Sequence, residues 1–230
     1  MKQVDLKNEY SFIINNEEKK FDVTSVYCIG YSGSDVKKVQ EHIDELAELG
    51  IPKPPEIPML YPVRVTSLNQ KGNMEILGTM TSGEAEIVLI FGDTEEEIYV
   101  SVGSDHTDRG LESVDINKSK QICDKPLAQE AWPLSKLEDN WNELKLASKV
   151  LINGSWEPYQ EQSVTAILPL EKVLDYLKNK KLDLKNSVVF AGTVPLLNGF
   201  KYGDGYEVTL LDPRKDQSIT CSYTVKNLEI

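Results

Sequence analysis

Two glutamates, separated by a single residue, directly precede an apolar segment of the sequence. Glu84 and Glu86 lie in Gly83-Glu-Ala-Glu86, just ahead of Ile87-Val-Leu-Ile-Phe91. Because side chains alternate along a strand, both carboxylates would point to the same face. Two adjacent carboxylates repel each other unless a cation or a proton lies between them, so the pair is a candidate for part of a metal site. The alternative is the ordinary polar face of an exposed edge strand.

A second polar cluster follows the next predicted strand. The segment Gly103-Ser-Asp-His-Thr-Asp-Arg-Gly110 brings Asp105, His106, Asp108 and Arg109 together at a strand end, where functional residues commonly lie. Asp105 would add a third carboxylate, and an all-oxygen ligand set suits Mg²⁺, Mn²⁺ or Ca²⁺ rather than zinc. The alternative is a charged turn, with Asp105 as a cap and Asp108 and Arg109 as a surface ion pair.

Other residues could contribute acid–base chemistry or bind an anion. His42 and Glu45 are three positions apart on a predicted helix, where they share a face and the carboxylate can orient the imidazole. Lys120 lies in a mixed segment, and Thr193 follows a predicted strand. Taken alone, a lysine is usually solvated and a Gly-Thr pair is usually only a turn. These residues gain a functional interpretation only in combination.

Short strands predominate among the elements that must position these side chains. Hydrophobic alternation predicts strands over 10–14, 21–29, 86–91, 97–102, 188–190, 206–211 and 219–225. Asn153-Gly154 predicts a hairpin turn within 151–168. Helices are predicted over 36–46, with Ser34 or Asp35 as the cap, over 127–150 and over 170–182. Strands with a few helices and no regular βαβ alternation indicate a β-rich α+β fold.

The composition excludes several classes of protein. A length of 230 residues, 40% of them hydrophobic, suits one domain with a full core. The net charge of −12 disfavours a nucleic-acid partner. No apolar run approaches the ~20 residues that span a bilayer, and the first residues lack the apolar region of a signal peptide. Three widely spaced cysteines argue against a disulfide framework, so we expect a cytoplasmic protein with no membrane partner.

In their order along the chain, these motifs resemble the fumarylacetoacetate hydrolase superfamily, metal-dependent enzymes that act on 2-oxo and 1,3-dicarbonyl acids. His42-Ile-Asp-Glu45 is similar to the family's histidine–glutamate pair, and Glu84-Ala-Glu86 to its first two metal ligands. Asp105-His-Thr-Asp-Arg109 resembles its third ligand with the trailing threonine and arginine. The segment that starts at Gly103 is most similar to bacterial relatives of the superfamily without an assigned function.

The resemblance continues toward the C-terminus. Lys120 falls at the position of the family's active-site lysine, and Tyr159-Gln160-Glu161 resembles its Gln-Glu hairpin. Gly192-Thr193-Val194-Pro195 is similar to its Gly-Thr-Pro loop. The chain departs from the pattern where Val194 separates the threonine from the proline, and where a longer stretch precedes the catalytic histidine.

The resemblance implies the family's mixed β-sandwich roll, with an N-terminal β-extension over 1–25 and a catalytic domain over 26–230. It also implies a homodimer and a small oxo-acid substrate. The implied cofactor is Mg²⁺, with Mn²⁺ or Ca²⁺ as alternatives. The implied site residues are the metal ligands Glu84, Glu86 and Asp105, the catalytic residues His42, Glu45 and Lys120, and the substrate-binding residues Arg109, Gln160 and Thr193.

The implied activity is that of a divalent-metal-dependent hydrolase or lyase. It would cleave a C–C bond in a small 2-oxo or 1,3-dicarbonyl acid through a metal-stabilised enolate. Decarboxylation, hydration and isomerisation share that enolate and are alternatives. A non-catalytic, metal-stabilised dimeric binding protein is a further alternative, but a structural role needs no His42–Glu45 pair. A β-rich domain with coincidental motifs would require seven ordered coincidences.

Overall fold

The computed structural model describes residues 8–48, 53–94 and 96–229, and within its first helix the side chains of residues 42, 45 and 46 lie outside that description. Strands are the predominant regular structure of the described chain. They are β1 (Asn8–Ile14), β2 (Glu17–Val23), β3 (Ser25–Gly30), β4 (Met59–Val63), β5 (Leu68–Asn69), β6 (Asn73–Ile76), β7 (Thr81–Ser82), β8 (Ala85–Phe91), β9 (Ile98–Ser104), β10 (Thr107–Asp108), β11 (Lys125–Pro126), β12 (Glu130–Pro133), β13 (Lys145–Ile152), β14 (Ser155–Ser163), β15 (Ser187–Thr193), β16 (Gly205–Asp212) and β17 (Gln217–Asn227). The α-helices are α1 (Val36–Glu48), α2 (Arg109–Glu112), α3 (Ile116–Ile122) and α4 (Leu170–Asn179).

Two mixed sheets form the framework. The larger has the order β2-β1-β12-β9-β8-β15-β3-β4, and the smaller has the order β14-β13-β16-β17-β6. In the larger sheet β1 pairs in parallel with β12, and β15 pairs in parallel with β3, while the other pairs are antiparallel. Two-stranded pairs, β10 with β7 and β11 with β5, complete the strand arrangement. The predicted β-rich α+β fold, a mixed β-sandwich roll, is confirmed.

The central strands of the larger sheet are buried on both faces. All seven residues of β8 are buried, so its sequence reads as a continuous apolar run after Glu86. Leu89 belongs to the core that includes Leu146 and Val208 of the smaller sheet. Val88 belongs to a second core, which the N-terminal hairpin of β1 and β2 helps to form. The strand that carries the candidate site is therefore held rigidly from two sides.

Several sequence predictions are confirmed in detail. The hairpin of β13 and β14 turns at Asn153 and Gly154, whose φ values of 50° and 77° are the left-handed angles of a type I′ turn. Helix α1 begins where expected, because the Asp35 carboxylate accepts hydrogen bonds from the backbone N–H of Lys37 at 3.1 Å and of Lys38 at 3.2 Å. The three cysteines are free and buried.

The predicted helix over 127–150 is wrong. This segment holds strand β12, two short 3-10 helices over Leu134–Lys136 and Glu138–Glu143, and strand β13. Trp132 pairs with Val100 of β9, and Pro133 cannot donate the backbone hydrogen bond that a helix would need there. The apolar residues whose spacing predicted a helix belong instead to successive strands and turns.

The predicted apolar stripe of the first helix needs a smaller correction. Val36 is 72% exposed, whereas Ile43 is buried. The first turn of α1 therefore projects into solvent, although the chain just before it is anchored by the pairing of Gly33 with Ile167. None of the helices in the described ranges is both long and apolar enough to cross a membrane.

Candidate functional site

Glu86 is a buried carboxylate held by the backbone of the neighbouring strand. It is 3% exposed and lies opposite Thr193 of β15. Its Oε2 accepts a hydrogen bond from the backbone N–H of Gly192 at 2.9 Å. Gly192 has a φ of 146°, and a Cβ there would lie 2.5 Å from the Ser32 hydroxyl oxygen. Only glycine therefore lets this N–H approach the carboxylate.

The charge of Glu86 is not balanced by its surroundings. Burial raises the pKa of Glu86 well above its ordinary value, and repulsion from Asp105 raises it further. The Lys120 ammonium opposes these effects only in part. A buried carboxylate in this situation favours the binding of a proton or a cation.

Asp105 follows the last residue of β9 and is 1% exposed. Its backbone N–H donates to the carbonyl oxygen of Glu84 at 3.1 Å, which fixes the start of the loop. The Lys120 ammonium donates to Asp105 Oδ2, and Lys125 Nζ lies 3.4 Å from Oδ1. Burial alone would raise the pKa of Asp105, but the Lys120 and Lys125 ammonium groups together hold it well below its usual range. Asp105 is therefore ionised at neutral pH.

Lys120 is positioned by α3, a short helix that begins after Asp115. The Asp115 carboxylate caps the helix by accepting from the backbone N–H of Lys118 at 3.0 Å. Burial acts to lower the pKa of Lys120, but the attraction to Asp105 and to Glu112 and the hydrogen bond to Asp105 together outweigh it, so the pKa is raised. The Lys120 ammonium also lies 5.8 Å from the ring centre of Tyr61, close enough for a cation–π contact. Lys120 is thus a buried, charged group beside two carboxylates.

Arg109 is committed to protein groups rather than to solvent. Its Nη2 lies 3.0 Å from Glu84 Oε2, and its Nη1 donates to Glu112 Oε2 at 3.0 Å. Its Nε donates to the hydroxyl of Ser82 at 2.7 Å, and the Phe200 ring centre lies 4.3 Å from the guanidinium carbon. This arrangement holds the Glu84 carboxylate against the Arg109 guanidinium.

The surface ion pair considered for Asp108 and Arg109 is not the arrangement in the structure. The Asp108 carboxylate instead caps α2 and accepts from the backbone N–H of Leu111 at 2.9 Å. The adjacent His106 is fully buried, with hydrogen bonds to Tyr223 at 3.0 Å and Thr81 at 2.9 Å. Burial, reinforced by Lys125, lowers the pKa of His106 well below its ordinary value, so the ring is neutral.

Gln160 links three strands next to the acidic residues. Its Oε1 accepts from the backbone N–H of Ala85 at 2.8 Å and from the Ser148 hydroxyl at 2.8 Å. Its Nε2 donates to Thr193 Oγ1 at 2.8 Å and to the carbonyl oxygen of Val194 at 2.7 Å. The Gln160 amide is fully used by protein groups, which fixes Thr193 beside Glu86 across the sheet.

The predicted acid–base pair lies on α1. The backbone of the helix is described, but the side chains of His42 and Glu45 lie outside the described residues. The start of the helix is tied to the loop ahead of α4, because the Ser34 hydroxyl donates to the Thr165 carbonyl oxygen at 2.8 Å. The role of the pair stays a prediction.

The donor chemistry around Glu86 and Asp105 suits an oxygen-preferring divalent cation. Both carboxylates are buried, and each affects the charge of the other. Glu84 acts on Glu86 electrostatically, although its carboxylate is held by Arg109. In the described part of the chain, no three acidic, histidine or cysteine side chains are close enough together to hold a metal ion. Two of the three expected ligands, Glu86 and Asp105, thus interact electrostatically, while the third, Glu84, is paired with Arg109.

Sequence reasoning missed several residues of this site. Lys125, Glu112 and Tyr61 contact the predicted residues, yet each lies in a segment with no recognisable spacing. Lys125 stands before a proline in a two-residue strand, which carries no chemical signal. Their immediate neighbours, such as Asp124 before Lys125 and Ser113 after Glu112, give no local signal for these contacts either.

Comparison with known proteins places the chain in a family and gives its fold. The model of a family described as "Protein of unknown function (DUF2848)" matches residues 29–223. No curated protein matches the sequence. A fumarylpyruvate hydrolase from Pseudomonas aeruginosa, solved in complex with Mn²⁺ and pyruvate, has a similar structure with a TM-score of 0.62 and 17% identity. The match covers 95% of this chain and 96% of that one.

Other solved structures have the same fold. A yeast protein of the fumarylacetoacetate hydrolase family is 18% identical, with a TM-score of 0.63 and coverage of 89% of this chain and 94% of that one. A 2-keto-3-deoxy-D-arabinonate dehydratase in its apo form is 14% identical, with a TM-score of 0.67 and coverage of 94% of this chain and 78% of that one. The chain therefore has the fold of fumarylacetoacetate hydrolase family proteins.

Proposed function

The chain belongs to the family of proteins of unknown function DUF2848, and we propose that it is a divalent-metal-dependent enzyme that cleaves a C–C bond in a small 2-oxo or 1,3-dicarbonyl acid. The observation that carries this proposal is the buried pair of Glu86 and Asp105 with Lys120 beside it. Such a cluster has no evident structural use, because replacing buried charges by apolar groups is often neutral or stabilising.

The charge balance of the site supports an anionic substrate. Among the described side chains, the carboxylates Glu84, Glu86, Asp105 and Glu112 outnumber the cations Arg109, Lys120 and Lys125 by one. A divalent cation would convert this negative excess into a positive one. A substrate carboxylate would then restore the balance, which is the behaviour expected of a site for an oxo acid.

Each residue of the site would have a distinct role. Glu86 and Asp105 would hold Mg²⁺ or Mn²⁺, with Glu84 as a third ligand if its carboxylate turns from Arg109. A bound divalent cation supplies polarisation of a carbonyl and neutralisation of developing negative charge. Lys120, released from Asp105, would contact the substrate carboxylate or the developing enolate. Thr193 would bind the carboxylate, while Arg109 and Gln160 position their neighbours.

Proton transfer is assigned to His42, with Glu45 as its orienting partner. In hydrolysis His42 would take a proton from water, whose oxygen then bonds to the acyl carbon as the C–C bond breaks. The products would be a carboxylic acid and the shortened oxo acid, the enolate of which takes up a proton. The predicted homodimer, the division into residues 1–25 and 26–230 and the cytoplasmic location stay predictions.

A second candidate is a lyase reaction on a related 2-oxo acid. The dehydratase named above shares the fold, and elimination of water also passes through an enolate next to a carbonyl. Both reactions would use Lys120 and the acidic pair in the same way. They differ in whether water is added across a C–C bond or lost from the substrate.

The test is turnover of a small panel by the purified protein with Mn²⁺ or Mg²⁺. Acetylpyruvate and fumarylpyruvate report hydrolysis by release of pyruvate, and 2-keto-3-deoxy-arabinonate reports loss of water. We expect pyruvate release that is abolished by chelation and by Glu86→Gln. Turnover of the deoxy sugar acid alone would favour the lyase, and absence of both metal binding and turnover would overturn the proposal.

A further inference from the structure

Lys125 is a fully buried cation to which the proposed reaction gives no role. Its side chain is 0% exposed. Its Nζ donates to the backbone carbonyl oxygens of His106 at 2.6 Å, Lys120 at 2.5 Å and Cys123 at 3.3 Å. An ammonium group has three N–H donors, so these three carbonyls use all of them.

The acceptors of Lys125 belong to the two segments that carry the candidate site. His106 directly follows Asp105, and Lys120 is the lysine that contacts the Asp105 carboxylate. The Lys125 ammonium also lies 3.4 Å from Asp105 Oδ1, whereas Lys120 contacts Oδ2 of the same carboxylate. One side chain therefore holds the end of β9, the end of α3 and a candidate metal ligand together.

We infer that Lys125 is a positioning residue that fixes Asp105 relative to Lys120 and remains its counter-charge when Lys120 turns to the substrate. This inference rests on the proposed function, because that function gives Asp105 and Lys120 their roles. When Lys120 turns from Asp105, Lys125 keeps a cationic group 3.4 Å from the carboxylate in addition to the metal, which matters because a buried charge that loses a partner is costly. Lys125 is suited to that part because its three carbonyl contacts keep it in place.

The position of Lys125 differs from that of an ordinary structural lysine. A side chain that served only to bind carbonyl groups could be neutral, but this one also faces a carboxylate. If the Lys125 charge were removed, the buried carboxylates of Asp105 and Glu86 would share Lys120 as their common cation in the described structure. Their repulsion would then displace the ligand oxygens from a common centre.

The test compares Mn²⁺ affinity in matched variants. Lys125→Gln removes the charge and keeps an amide that can donate to two carbonyls, and Lys125→Met removes both. The control is Lys118→Met, because Lys118 lies on the same α3, is 75% exposed and pairs with Asp115 at 3.0 Å. Binding is measured by isothermal titration and by the electron paramagnetic resonance signal of bound Mn²⁺. Loss of an orienting partner of a metal ligand typically weakens metal binding 10–100-fold.

We expect wild type and Lys118→Met to bind Mn²⁺ equally and both Lys125 variants to bind about 10–100-fold more weakly, with an altered spectrum. A folded Lys125→Gln protein with wild-type affinity and spectrum would overturn the inference and leave the proposed function standing. Wild type that binds no Mn²⁺ would overturn both.

A measurement on the wild-type protein covers the case in which the variants do not fold. Lysine acetylation by acetic anhydride, followed by mass spectrometry, is compared with and without Mn²⁺. We expect Lys125 to stay unmodified in both samples and the exposed Lys118 to be modified in both. Labelling of Lys125 once Mn²⁺ is added would show that it leaves its carbonyl contacts, which contradicts a fixed position.

Discussion

The side-chain amide of Gln160 and the backbone N–H of Ala85 are joined by a 2.8 Å hydrogen bond, although the residues are far apart in the sequence. Ala85 lies between Glu84 and Glu86, so this contact fixes the backbone from which both carboxylates project. The same amide holds Thr193 and the Val194 carbonyl on the next strand. Gln160 therefore sets the spacing of the acidic strand and the threonine loop.

Gln160→Leu should destabilise the protein by about 2–6 kcal/mol. It removes the side-chain acceptor of the Ala85 N–H and of the buried Ser148 hydroxyl, at a cost of about 1–3 kcal/mol each. Urea unfolding followed by circular dichroism measures the change. The control is Gln162→Leu on the same strand, whose side chain is exposed and which should change the free energy of unfolding by less than about 0.5 kcal/mol. Equal effects of the two substitutions would contradict this assignment.

Glu86→Gln should raise the melting temperature of the metal-free protein and abolish the effect of metal on it. Burial and Asp105 disfavour the ionised carboxylate, so a neutral amide that still accepts from Gly192 removes an unfavourable charge. In wild type, excess Mn²⁺ should raise the melting temperature by mass action, and EDTA should reverse it. Differential scanning fluorimetry measures both. A variant that melts below metal-free wild type, or that still responds to Mn²⁺, would refute the prediction.

His42→Ala should separate proton transfer from metal binding. The Mn²⁺-dependent rise in melting temperature and the affinity for oxalate should be nearly unchanged, because neither needs the imidazole. Turnover of acetylpyruvate should fall by ~10²–10⁴-fold, the usual contribution of a positioned acid–base group. Glu45→Gln should reduce it less, since Glu45 only orients the ring. Full acetylpyruvate cleavage by His42→Ala would remove the hydrolytic assignment and favour the lyase.

Asp212→Asn tests how an ionised carboxylate outside the site stabilises the fold. Burial alone would raise the pKa of Asp212, but hydrogen bonds from Asn140 and Lys215 lower it. A carboxyl with a depressed pKa contributes stability that is present above its unfolded pKa and is lost as the pH falls through the folded one. The variant should thus be less stable than wild type by about 1–2 kcal/mol at pH 7, a gap that narrows below about pH 4.

Urea unfolding at pH 7, 5 and 3.5 measures this gap. Asp216→Asn is the matched control, because Asp216 lies in the same turn with an exposed side chain. It should show no comparable pH-dependent difference from wild type. A gap between wild type and Asp212→Asn that is constant over the whole range would contradict the assignment.

The parts of the site that follow local rules could be predicted from the sequence. The apolar run of β8 and the cluster after β9 locate Glu86 and Asp105, because strand patterning and strand ends are local features. The turn at Asn153 follows from the left-handed preference of the Asn-Gly pair. The order of the motifs also predicted the fold through the family resemblance, and the solved structures of fumarylacetoacetate hydrolase family proteins confirm that fold.

The parts that depend on tertiary contacts could not be predicted. Nothing in the sequence around Lys125 indicates that three carbonyls and Asp105 converge on it, because its acceptors lie in separate segments. Likewise, Arg109 reaches Glu84 because β10, which precedes Arg109, pairs with β7, which precedes Glu84. Trp132 illustrates the opposite error, in which a regular spacing of apolar residues arises from strands and turns.

The parallel pairing of β15 with β3 has a consequence for how the chain is synthesised. β3 and β8 are made early, and each needs β15, which begins at Ser187, as a neighbour in the sheet. Until the ribosome has delivered that segment, two largely apolar strands present open edges, a state that invites aggregation. The nascent chain therefore has a vulnerable interval that ends only when β15 emerges, and that interval lengthens wherever translation slows between β8 and β15.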